Sequence, residues 1–121
     1  MQTVADVVIG LVAALHVYFL VLEMFLWRTP KGLRTFGMTA EHAEATSTLA
    51  ANQGLYNGFL AAGLIWSLLA DEPTAYHAAV FFLACVVVAG CYGAATVSRR
   101  ILAVQAVPAA VGLIAVIAAH R

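Results

Sequence analysis

Two ionisable residues interrupt the first long apolar run of this chain, His16 and Glu23. Seven residues apart, they fall within about 20° of one another on a helix and about 10 Å apart in height. A charge-bearing side chain costs roughly 2.5 to 3.5 kcal/mol to place at the centre of a bilayer-spanning helix, so its presence there points to function before it points to packing. Glu23 can bind a proton or a cation, or act as a general acid or base. His16 can relay a proton, ligate a metal, or sit neutral in a hydrogen bond.

A second polar group lies further along, at Asn52, Gln53, Tyr56 and Asn57. Extended backwards with a 3.6-residue period, His42, Thr46, Gln53 and Asn57 share one stripe, flanked by Asn52 and Tyr56. Gly54 and Gly58 are expected on the opposite side, dividing that helix into a packing face and a polar face. Counting 1.5 Å per residue from each helix end puts Glu23, Gln53, Tyr92 and Gln105 at one depth, about 7 to 10 Å from the midplane. His16 and Asn57 lie somewhat deeper. The expected ligand-binding set is therefore His16, Glu23, Asn52, Gln53, Tyr56, Asn57, Tyr92 and Gln105, lining a polar cavity centred on Glu23.

Metal binding is not expected. His16 and Glu23 are too far apart to share an ion at bond lengths near 2 Å without other ligands. His42, beside Glu41 and Glu44, is a weak candidate, since neighbouring residues on a helix diverge; a solvated helix start explains the cluster better. Cys85 and Cys91 are separated by about 9 Å of helical rise and cannot bridge. The sequence carries no phosphate-binding glycine loop, no H-E-x-x-H, no G-x-S-x-G and no C-x-x-C. It names no cofactor.

The elements that must position these residues follow from composition. Of 121 residues, 64% are hydrophobic and 10% charged, against about 45 to 50% and about 25% in soluble domains. The mean hydropathy is +0.94. A zero formal net charge provides no basic surface for nucleic acid. Four apolar segments reach the roughly 20 residues that a 30 Å hydrocarbon core demands, at about 4–27, 48–70, 75–97 and 101–119. Proline and clustered charge separate them, at 28–32, 71–74 and 98–100. The expected architecture is all-α, a single domain over 1–121 forming a bundle of four transmembrane helices. Thr39 is an expected N-cap, with Glu41 and Glu44 near the positive end of the helix dipole, so the second long helix should start outside the bilayer and extend into the cytoplasm.

Lys and Arg resist translocation. Arg28, Lys31, Arg34, Arg99 and Arg100, five of the six basic residues, fall on one side, which predicts that side to be cytoplasmic and both termini to lie outside. The expected location is the bacterial inner (plasma) membrane. Small residues repeat at four-residue spacing, at Gly54, Gly58 and Ala62 and again at Ala89 and Gly93, which lets helices approach closely in lipid. Packing within the bundle is the simpler use of these faces; a homo-oligomer through them is the other.

The run Leu22-Glu23-Met24-Phe25-Leu26-Trp27, then Thr29-Pro30 and Phe36-Gly37, then 50–63 with its Asn-Gln-Gly-Leu-Tyr-Asn-Gly string, resembles the integral-membrane family called domain of unknown function 1304. The chain length matches that family. The resemblance implies four spans, draws attention to His16, Glu23, Asn52, Gln53 and Asn57, and brings no assigned activity. Three functions remain open from the residues. One is binding or transport of a small molecule, lipid or ion through Glu23. Another is a small membrane enzyme using Glu23 or His16 as acid or base on an apolar substrate. The last is a structural or accessory membrane subunit.

Overall fold

The computed structural model describes residues 1–120, which are helical almost throughout, with no strand among them. The helices are α1 (Gln2–Met24), α2 (Pro30–Phe36), α3 (Ala40–Leu69), α4 (Thr74–Thr96) and α5 (Val107–His120). A π-helical turn, Leu102–Ala106, runs directly into α5. Three stretches are long and apolar enough to cross a membrane: α1, α4, and the continuous helix Leu102–His120. Their outward faces are apolar, with Leu11, Phe81, Val88 and Ile114 all exposed, as lipid requires and water would penalise.

The four equivalent spans expected from the sequence are therefore three, plus one helix of different character. At 30 residues α3 is the longest, but Asn52, Gln53 and Asn57 stand in the middle of it and leave only its second half continuously apolar. The stretch between α1 and α3 is also not an open loop. Thr29 caps α2, its hydroxyl accepting from the Gly32 amide at 3.4 Å and donating to the Leu26 carbonyl at 2.6 Å, and Pro30 occupies the first turn, where a missing N–H costs nothing. Gly37 ends the helix in the left-handed region at φ 61°. Thr39 then caps α3 as expected, accepting from the His42 amide at 3.1 Å.

The chain divides into two compact units, Met1–Ala13 with Leu60 onward, and Ala14–Phe59. In the first, Ile9, Val12, Leu64, Leu83, Val86 and Val116 form a core from which solvent is excluded. Small residues set its helix spacing. A Cβ at Gly90 would stand 2.7 Å from the Ala106 backbone nitrogen, so α4 and the π-helical turn meet backbone to backbone. The bulge lies one turn before Pro108, which lacks an N–H and whose ring cannot sit against a regular α-helical carbonyl four residues back. Widening the turn relieves that conflict, and the Val107 amide bonds to Leu102 instead.

Candidate functional site

The second unit holds Glu23, a charged residue within the apolar helix α1. The first two-thirds of α1 has no strong helix breaker, and its apolar residues carry Glu23 to the last turn of the helix. On α3, Gly54 and Gly58 remove the side chains that would hold α1 away. A Cβ on Gly54 would lie 2.7 Å from Met24 Cγ, 3.1 Å from Glu23 Cβ and 3.2 Å from the Leu20 carbonyl oxygen, and one on Gly58 would lie 2.7 Å from Leu20 Cδ1. The two helices thus meet along the glycine groove. At this spacing Asn57 Nδ2 donates to Glu23 Oε1 at 2.5 Å.

Two expectations change here. The glycine face was expected to point away from the polar stripe, yet it and Asn57 both address α1, because Asn57 is one residue from Gly58 and falls at the edge of the groove. The polar stripe is also split. Asn57 is half-buried against Glu23, whereas Asn52, Gln53 and Tyr56 are exposed.

His16 is wholly buried and meets Phe19 edge-on, with ring centroids 5.4 Å apart. The remaining expected residues belong to the first unit. Tyr92 is 72% exposed, and Gln105 is half-buried within the π-helical turn. A cavity of about 30 Å³ in that unit is lined by Gln2, Asp6, Ser67, Glu72, Tyr76 and His120 among others. It has room for about two waters and contains none of the expected ligand-binding residues.

Sequence reasoning missed a set of contacts that lock the end of α1 to the start of α3. Trp27 Nε1 donates to Thr46 Oγ1 at 3.1 Å, and that hydroxyl donates to the His42 carbonyl at 2.7 Å. The Trp27 ring tilts against Phe36 with centroids 4.8 Å apart. Arg28 pairs with Glu44 at 2.9 Å, both exposed, so this link contributes little by itself. The signal that could have revealed them was the Thr29-Pro30 to Gly37 frame. It is a helix-length segment with start and stop residues, and it folds the chain back within reach of α3.

Chemically, the arrangement is a carboxylate–carboxamide pair on two closely apposed helices. Nearby, Arg28 pairs with Glu44 rather than with Glu23. No group of three or more His, Cys, Asp or Glu side chains among them could hold a metal ion. The pair can accept a proton, take up a cation, or receive hydrogen bonds from hydroxyl or amine groups.

Residues 10–117 match the family described as "Protein of unknown function (DUF1304)". An uncharacterised protein, YpaA, from Lactococcus lactis subsp. lactis (strain IL1403) is 29% identical over 107 residues, covering 86% of this chain and 89% of that protein. No solved structure matches.

Proposed function

The chain belongs to the DUF1304 family of proteins of unknown function, and we propose that it binds or transports a small molecule, lipid or ion at Glu23 within the membrane. The observation that carries this reading is the hydrogen bond from Asn57 to the Glu23 carboxylate. A carboxylate inside an apolar helix is expensive to keep. A purely mechanical link between α1 and α3 would be served as well by two amides. Glu23 adds what an amide lacks, a group that exchanges a proton or a cation, while Asn57 fixes which way it points.

In this reading α3 is a fourth span. Its 30 residues extend about 45 Å at 1.5 Å per residue, more than a 30 Å hydrocarbon core needs, so its capped N-terminal end stands in the cytoplasm. The basic residues of the first and third connections lie on that side, and both termini lie outside a bacterial plasma membrane. Glu23, at the end of α1, is then in the cytoplasmic half.

A second reading has its own observation. The Cβ position of Gly54 is 3.1 Å from Glu23 Cβ, so the carboxylate is also part of a tight helix contact, as an accessory subunit would need. Glu23→Gln separates the two, because a glutamine carbonyl still accepts from Asn57 but cannot ionise. Native mass spectrometry and elemental analysis of the purified protein should find a species retained by the unaltered chain and lost from Glu23→Gln, with both folded. Equal retention, or none in either, would leave the accessory role.

A further inference from the structure

The cavity of the first unit lies where α1 and α4 begin and α3 and α5 end, and the Glu23 site makes no use of it. Gln2, Asp6 and Ile9 line it from one stripe of α1, and Val116 and His120 from one stripe of α5. Ile9, Ala79 and Val116 are buried, while Asp6, Glu72 and His120 are exposed. The cavity therefore has an apolar floor and an acidic mouth, with no Lys or Arg among the described residues that line it. We propose that it binds a primary ammonium group, carried by a small free amine or by a lipid headgroup.

The acceptors for such a group are held in place. Gln2 Nε2 donates to Asp6 Oδ1 at 2.8 Å, and the Tyr76 amide donates to Glu72 Oε2 at 3.3 Å. Each carboxylate is thus oriented through one oxygen and able to accept through the other. Ser67 is 5% exposed and its hydroxyl donates to the Leu64 carbonyl at 2.6 Å, so toward the cavity it acts as an acceptor and not as a nucleophile. Asp6, Ser67 and Glu72, on three different elements, match the three N–H donors of one ammonium. The Tyr76 and His120 rings stack with centroids 3.7 Å apart, which pins the end of α5 against α4 and keeps the walls in place. Size and donor set narrow the ligand further. About 30 Å³, room for about two waters, admits an unsubstituted ammonium but not a trimethylated nitrogen. No three His, Cys, Asp or Glu side chains among the described residues are grouped to hold a metal ion, so the cation suited to this cavity is one recognised by hydrogen bonds.

The test uses the full chain in uncharged maltoside micelles at fixed ionic strength, exchanging sodium chloride for methylammonium chloride. Binding is followed by NMR at the Gln2 side-chain amide and the Tyr76 backbone amide. Both signals should shift and saturate with methylammonium and not with tetramethylammonium. Asp6→Asn with Glu72→Gln, two exposed changes that keep an acceptor oxygen and remove the charge, should weaken binding about tenfold, the scale of a hydrogen bond to a charged group. Asp71→Asn, an exposed carboxylate outside the cavity lining, should leave it unchanged. So should Glu23→Gln in the second unit, which keeps this result separate from that of the Glu23 site. Native mass spectrometry of the chain taken from mixed phosphatidylethanolamine and phosphatidylcholine vesicles identifies the source. Preferential retention of the ethanolamine lipid, lost in the double variant, identifies a headgroup; methylammonium binding without that preference identifies a free amine. No saturable methylammonium shift, an equal response to tetramethylammonium, or an equal loss in Asp71→Asn overturns the proposal.

Discussion

Asn57 donates to the carboxylate of Glu23 across 34 residues of sequence, and it does so because Gly54, one turn away, leaves no side chain between the two helices. The polar pair and the glycine groove are one feature. Close approach without the amide would leave the carboxylate in an apolar contact, and the amide without close approach would not reach it.

Removing the two groups separately and together should therefore give non-additive losses. Glu23→Ala and Asn57→Ala each break the bond, so the double substitution should cost less than the sum of the singles by about 0.6 to 1.7 kcal/mol, the range of polar couplings between membrane helices. Reversible unfolding in mixed detergent and denaturant measures it. Strict additivity would mean that the two side chains do not interact in the folded protein.

The glycines themselves should differ. Alanine at Gly54 meets the Leu20 carbonyl oxygen at 3.2 Å and the Glu23 Cβ at 3.1 Å, whereas alanine at Gly58 meets only the movable end of the Leu20 side chain. Overpacking against backbone costs about 1 to 3 kcal/mol, against a gain of up to about 1 kcal/mol in helix propensity. Gly54→Ala should destabilise and Gly58→Ala should be close to neutral. The same unfolding measurement decides between this order and its reverse.

How far this was legible in the sequence depends on the kind of residue. Apolar run length is a one-dimensional property, so the extents of α1, α4 and the last helix followed from counting, and the Thr39 cap from its position before Glu41 and Glu44. Depth is also one-dimensional, and it drew attention to Glu23 and Asn57. Which side of a helix meets which neighbour is not. The 3.6-residue stripe put Gln53 with Asn57, and the two are only about 40° apart on the helix, but Asn57, nearer the groove made by Gly54 and Gly58, meets Glu23 while Gln53 is left exposed. Likewise α2 escaped notice because seven residues are too few for periodicity to register, although Thr29, Pro30 and Gly37 mark both of its ends.

In the first unit, Gly90→Ala should be more damaging than Gly93→Ala. A new methyl at Gly90 meets the backbone of Ala106 at 2.7 to 2.8 Å, and one at Gly93 meets the side chain of Ile101 at 3.1 Å. Backbone within the π-helical turn can yield only by shifting the helix that follows, while an isoleucine side chain has some freedom to move. Thermal unfolding in detergent should show a loss of about 1 to 3 kcal/mol for Gly90→Ala and a smaller one for Gly93→Ala. A π-helical turn that tolerates alanine at Gly90 would indicate that α4 does not rest on it.

Orientation can be read from the two ends of α4. This helix has 23 residues, about 34 Å at 1.5 Å per residue, enough to cross a 30 Å core once and no more. Asp71 and Ser98, just beyond its ends and both exposed, must then lie on opposite sides. Arg99 and Arg100 adjoin Ser98, and Lys and Arg are retained in the cytoplasm. In a chain with Cys85 and Cys91 replaced by alanine, Asp71→Cys should react with an impermeant maleimide in intact cells, and Ser98→Cys only after the membrane is opened. Reaction of both from outside would remove α4 as a span. The opposite pattern would invert α4 and place Arg99 and Arg100 outside the cell, against the retention of basic residues in the cytoplasm.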